Sequence, residues 1–159
     1  MGKKKDKQQP VIKPFSEKKQ QRYERLARLQ YGPELVNESV RRWASYSPAE
    51  QEAIHAEGNA NYAAVVKAME AGRTPHDAEV QALVERWQQH IHYFYTPTPE
   101  ILRGLGESYK DDPEFRAFFE KFHPELPEYL SAAITVYVDA LDDAELARLM
   151  DEDTGEARH

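Results

Sequence analysis

The sequence predicts an all-α fold of about seven helices, and three observations carry that prediction. Apolar residues recur at alternating steps of three and four along most of the chain, which places them on one face of a helix. Strand-like alternation never lasts beyond four residues, and no G-x-G pattern or hairpin dipeptide occurs. Finally, several of the periodic segments open on a capping residue followed by proline: Ser47-Pro48, Thr74-Pro75, Thr98-Pro99 and Asp112-Pro113.

Residues 1–15 have no periodicity, contain Pro10 and Pro14, and read as a disordered basic arm. From Ser16 to about Gln30 a charged helix is expected, with Tyr23, Leu26 (or Ala27) and Gln30 on one side. Tyr31-Gly32-Pro33 breaks it. A short helix from Pro33 to about Trp43 follows, its apolar side made of Leu35, Val36, Val40 and Trp43. Both helices are poor in apolar residues and need something to dock on. The next helix starts at Ser47-Pro48-Ala49-Glu50, a capping box, and presents Ile54, Gly58, Tyr62, Val65, Val66 and Met69 before stopping at Gly72. Gly58 costs about 1 kcal/mol of helix propensity there, which close packing would explain.

Thr74-Pro75 is expected to open a central helix through Tyr95. Val80, Val84, Trp87, Ile91 and Phe94 form its main stripe, widened by Leu83 and His90. Thr98-Pro99-Glu100 starts a helix with Ile101, Leu102, Leu105 and Tyr109. Asp112-Pro113 starts a short one whose Phe115, Phe118, Phe119 and Phe122 read as core. A long helix from about Glu125 to Leu141 completes the set. Residues 142–159 read as a short turn of helix and a frayed tail.

Composition narrows the function. The 159 residues suit a single domain. Mean hydropathy is −0.81 and no apolar run nears the roughly 20 residues of a membrane span, so no membrane association is expected. With no cysteine and no apolar leader segment, a cytoplasmic location is expected. Residues 1–30 carry ten Lys/Arg against three Asp/Glu, while the remaining 129 carry 11 against 25. An acidic body repels phosphate, so the core is not expected to bind nucleic acid directly.

No catalytic constellation is present, and no enzyme activity, cofactor or metal is expected. His90 and His92 are two apart and point away from each other on a helix. His90 therefore reads as a hydrogen-bonded residue of the apolar face rather than a haem or metal ligand. What remains is an aromatic surplus: nine of the 17 aromatic residues lie between Trp87 and Phe122, with Trp43, Tyr46 and Tyr62 upstream. Flat, amphipathic side chains suit a hydrophobic, ring-rich ligand.

The order of motifs, YGPELVNES and RRWASYSPAEQEAI, then I-x-x-F-Y at Ile91–Tyr95, L-G-E-x-Y-x-x-D-x-x-F at Leu105–Phe115 and Y-L-x-x-A-I-x-x-Y at Tyr129–Tyr137, resembles the TipAS family. These are antibiotic-recognition domains often fused to MerR-type transcription regulators. The resemblance covers about Gln20 to Leu141. It implies a globin-like helical core at 47–141 with a drug-binding cleft, and N-terminal helices at 16–46 that close over it as a lid. Only 15 tail residues precede the first expected helix, so the chain is expected to act alone, without the family's DNA-binding domain. The absence of cysteine closes the covalent thioether route open to some relatives. The expected function is therefore non-covalent sensing or sequestration of a thiopeptide-like or other aromatic antibiotic. Trp87, His90, Phe94 and Tyr95 would form one wall, with Tyr62 opposite and Trp43 and Tyr46 closing over it. The alternative is a protein-interaction module, docking through its basic arm and first helices on a transcription regulator or forming a homodimer.

Overall fold

Helix-starting signals in the sequence become six α-helices in the computed structural model, which describes residues 32–157 and their side chains as far as residue 153. The expected basic arm at 1–15 and the helix expected at Ser16–Gln30 lie outside the described residues. The helices are α1 (Pro33–Ser45), α2 (Pro48–Glu70), α3 (Ala78–Ile91), α4 (Pro99–Asp111), α5 (Pro113–Glu120) and α6 (Leu126–Ala157). No strand occurs among the described residues.

The caps are as the chemistry dictates. At α2 the Ser47 N–H donates to Glu50 Oε1 at 2.8 Å while the Glu50 N–H donates to Ser47 Oγ at 3.1 Å, a complete capping box. Thr98 Oγ1 accepts from the Ile101 N–H, and Asp112 Oδ1 accepts from the N–H groups of Glu114 and Phe115. Gly72 follows α2 with φ +85°, the left-handed conformation that glycine adopts without steric cost.

Three helix bounds differ from the sequence reading. The helix expected from Thr74-Pro75 begins instead at Ala78. Thr74–Asp77 forms a turn, and Asp77 Oδ1 caps α3 by accepting from the Glu79 N–H. The same helix ends at Ile91, short of Tyr95. Pro97 explains this: it has no N–H for the Tyr93 carbonyl four residues earlier, and its ring crowds that carbonyl. The N–H groups of His92, Tyr93 and Phe94 instead turn back to carbonyls three residues earlier, closing a tight turn. Third, α6 continues to Ala157, where a short turn and a frayed tail were expected. Alanine, leucine and methionine favour helix there, and Arg148 bridges Glu145 and Glu152 at spacings of three and four.

The described residues belong to two compact units. The first holds residues 32–64 and 86–96; the second holds residues 65–85 and 97–157. In the second, Val65, Val80, Val84, Leu102, Phe119, Leu126, Leu130, Ile134 and Val138 are buried. The phenylalanine series is core there: Phe118 and Phe119 are buried, and Tyr109 lies between Phe115 and Phe119 at 5.1 and 4.5 Å. Gly106 lets α4 approach α6 closely, since a Cβ at that position would lie 2.9 Å from Ile134 Cγ2. Arg103 ties the same two helices by ion pairs to Asp139 and Asp142. In the first unit the buried residues are Val36, Ile54, Gly58, Trp87 and Ile91.

Candidate functional site

Within the first unit, α2 and the end of α3 face each other across a groove of about 510 Å³. One wall is Glu57, Ala60, Asn61 and Ala64 of α2; the other is Arg86, Gln89 and His90 of α3, with Tyr93 from the turn beyond. Each wall repeats at i, i+3, i+4 and i+7, so each is a single helical stripe carried on past the end of α3. The two alanines leave the space open. A volume of this size falls in the range that holds a drug-sized molecule.

His90 is the pivot of the groove. Its Nε2 lies 2.8 Å from the Ile54 carbonyl oxygen. A carbonyl only accepts, so Nε2 carries the proton. The ring lies so close to α2 that a Cβ on Gly58 would stand 3.0 Å from both Cε1 and Nε2. The close approach expected of Gly58 is thus to an imidazole ring. Beside His90, the Tyr93 hydroxyl donates to Glu57, and that bond, followed by burial, holds the phenol above its ordinary pKa.

Behind the groove stands a chain of rings. Trp43 stacks on Phe94, centroids 5.4 Å apart with planes at 26°, and meets His55 edge-on at 5.0 Å. Phe94 adjoins His90, His90 adjoins Tyr93, and Tyr93 adjoins Tyr46. Polar bonds fix α1 to the same turn. The Tyr46 hydroxyl donates to the Tyr93 carbonyl at 2.6 Å, and Arg42 Nη1 donates to the His92 carbonyl at 2.9 Å. Tyr46 thereby supplies the donor that Pro97 cannot. Gln51 Nε2 holds the Trp43 carbonyl at 2.8 Å.

Of the residues singled out in the sequence, the structure brings Trp43, Tyr46, His90 and Phe94 into one cluster, and His90 lines the groove itself. Trp87 is 2% exposed, so Arg86, Gln89 and His90 form the groove wall at its level. Tyr62 is half-buried on the side of α2 away from the groove stripe, and Tyr95 is half-buried just past the turn. Glu57, Ala60, Asn61, Ala64, Arg86, Gln89 and Tyr93 were not anticipated. Their signal was the matched pair of polar-and-small stripes, which aromatic content does not reveal.

With this geometry in hand, the comparisons with known proteins are specific. The model of the TipAS antibiotic-recognition domain matches residues 23–137, most of the chain, and the protein belongs to that family. It is 36% identical over 124 residues to the HTH-type transcriptional activator mta of Bacillus subtilis, covering 77% of this chain and 48% of that protein. It is 28% identical over 132 residues to the HTH-type transcriptional regulator SkgA of Caulobacter vibrioides, covering 80% of this chain and 52% of the relative. The chain thus spans about half the length of the curated relatives it matches. No solved structure matches it. Among the described residues, no helix is long and apolar enough to cross a membrane.

Proposed function

We propose that this chain binds a hydrophobic, ring-rich small molecule without a covalent bond, and that a thiopeptide-like antibiotic is the class it takes. The observation that carries this reading is the groove between α2 and α3, backed by the ring chain from Trp43 to Tyr93. The ligand's rings would lie against Tyr93 and His90 over the alanine-lined wall. Glu57, Asn61, Arg86 and Gln89 supply polar groups that would orient it. Membership of an antibiotic-recognition family and likeness to two transcription regulators support a sensing role in transcriptional control. Recognition of the drug rather than chemistry upon it is the activity we assign.

The polar bonds from Arg42 and Tyr46 to the turn carrying Tyr93 support a lid role for α1, the described part of the lid expected at residues 16–46. A ligand that moves Tyr93 would pull on Tyr46 and Arg42 through those bonds, and on Trp43 through its stack with Phe94. Closure would then cost part of the binding free energy in ordering the lid.

The test is a titration with thiostrepton and other thiopeptides, read by tryptophan emission and by thermal midpoint. Trp43 and Trp87 are the only tryptophans; Trp43 is stacked on Phe94 and Trp87 is buried. Saturable change in emission with a raised midpoint is expected. Ala60→Phe, which fills the groove from an exposed position without adding a tryptophan, should remove both effects and leave the fold intact. A flat response from the folded native protein overturns the reading.

A further inference from the structure

The groove between α2 and α3 holds a cation that the chain itself leaves unmatched. Of the arginines among the described residues, Arg41, Arg42, Arg73, Arg103, Arg116 and Arg148 each pair with a carboxylate. Arg86 is the exception and forms no ion pair among the described residues. Acids are not in short supply, because residues 31–159 hold 25 Asp/Glu against 11 Lys/Arg. The reason is position: Arg86 is exposed on the groove wall, and the wall opposite offers two alanines, an asparagine and a single acid, Glu57.

Glu57 is committed elsewhere. Its carboxylate accepts the Tyr93 hydroxyl, a bond that joins the two walls at one end of the groove. Arg86 stands seven residues before Tyr93, about two helical turns or roughly 10 Å along the axis. At that separation the two charges are largely screened from each other in water. Gln89 lies three residues on from Arg86 on the same stripe; it is exposed, and its amide makes no hydrogen bond among the described residues. One end of the groove is thus closed by a bonded phenol, while the other presents a guanidinium and an amide with N–H donors to spare.

We propose that the groove takes ring-rich acids: Arg86 binds a carboxylate of the ligand as a two-pronged pair, Gln89 donates beside it, and the rings run from there toward Tyr93 over Ala60 and Ala64. This inference rests on the ring-binding role proposed for the groove and adds the charge that the ligand brings. An amide of the same rings would leave the guanidinium unmatched and bind less tightly. A peptide antibiotic with a free C-terminal carboxyl has the required chemistry; one that ends in an amide lacks it.

Calorimetric titration of the full chain at neutral pH with two matched probes, biphenylcarboxylate and biphenylcarboxamide, tests it. Their rings are the same and only the charge differs. The carboxylate is expected to bind about three- to tenfold more tightly, the scale of a charge-assisted pair at a half-open site, and the advantage should shrink at high salt. Arg86→Gln should bring the two probes level with no loss of thermal stability, because no partner is orphaned. Arg86→Lys should keep part of the preference, as a point charge without the fork. Ala60→Phe should abolish binding of both probes, since both lie in the groove. Equal affinities for the native protein overturn the proposal, as does a preference that survives Arg86→Gln; in either case, loss of binding in Ala60→Phe leaves the ring-binding role standing. Binding of neither probe also overturns it, and the thiopeptide titration then decides the ring-binding role on its own.

Discussion

Gly58→Ala tests the close approach at the heart of the groove. Alanine gains about 1 kcal/mol of helix propensity over glycine in a helix interior. Its Cβ, however, would stand 3.0 Å from two atoms of the His90 ring. That ring is not free to swing, being held by the Ile54 carbonyl at 2.8 Å and flanked by Tyr93 and Phe94. Forcing it aside loses a hydrogen bond worth about 0.5–1.5 kcal/mol and adds overpacking of about 1–3 kcal/mol. The net expectation is destabilisation of about 1–2 kcal/mol, or several degrees in thermal midpoint. The second half of the cycle supplies the control. With His90→Ala already made, the obstacle is gone and Gly58→Ala should stabilise by about 1 kcal/mol, a coupling of about 2–3 kcal/mol between the two positions. Chemical denaturation of the four proteins measures it. If Gly58→Ala stabilises the protein with His90 in place, the ring does not constrain α2 and the reasoning fails.

Tyr46→Phe removes the hydroxyl that satisfies the Tyr93 carbonyl and should cost about 1 kcal/mol in denaturant unfolding; no change would mean that water replaces it fully. Asp112→Ala should cost about 1 kcal/mol by orphaning two N–H groups of α5, and Asp112→Ser should recover most of the loss. Gly106→Ala should destabilise despite its gain in propensity, because the atoms it meets include Ile134 Cβ, which no rotamer change can move; a raised unfolding midpoint would refute the close approach. The carboxyls of Glu50, Asp77 and Glu128 sit below their ordinary values, held chiefly by the Ser47 N–H, the Glu79 N–H and the Arg116 guanidinium. As pH falls the unfolded chain protonates first, so their contribution is full above about pH 5 and is lost as pH drops through the folded values. Thermal midpoints should therefore fall from pH 5 to pH 3, and an unchanged midpoint across that window would contradict the assignment.

The sequence determined the helices themselves, since spacing, caps and prolines act over a few residues. Ser47-x-x-Glu50 and Asp112-Pro113 are complete signals because the groups they satisfy lie within one turn. The early end of α3 was legible too, in the missing N–H of Pro97, but the aromatic periodicity through Phe94 masked it. The continuation of α6 was written in strong helix formers and in the spacing of Glu145, Arg148 and Glu152, though its acidity resembles that of a solvated tail.

Tertiary structure alone decided which rings are core and which are reachable. Trp87 and His90 share a helix and an aromatic character, yet Trp87 is buried while His90 lines the groove. That outcome depends on what α2 places opposite each of them, and no local pattern on α3 encodes it. The same holds for Gly58, whose missing Cβ has meaning only once an imidazole 32 positions later comes within 3 Å of where that atom would be. Local signals choose the helix because backbone hydrogen bonds close over four residues. The site is chosen by side chains far apart in sequence, and only their packing brings them together.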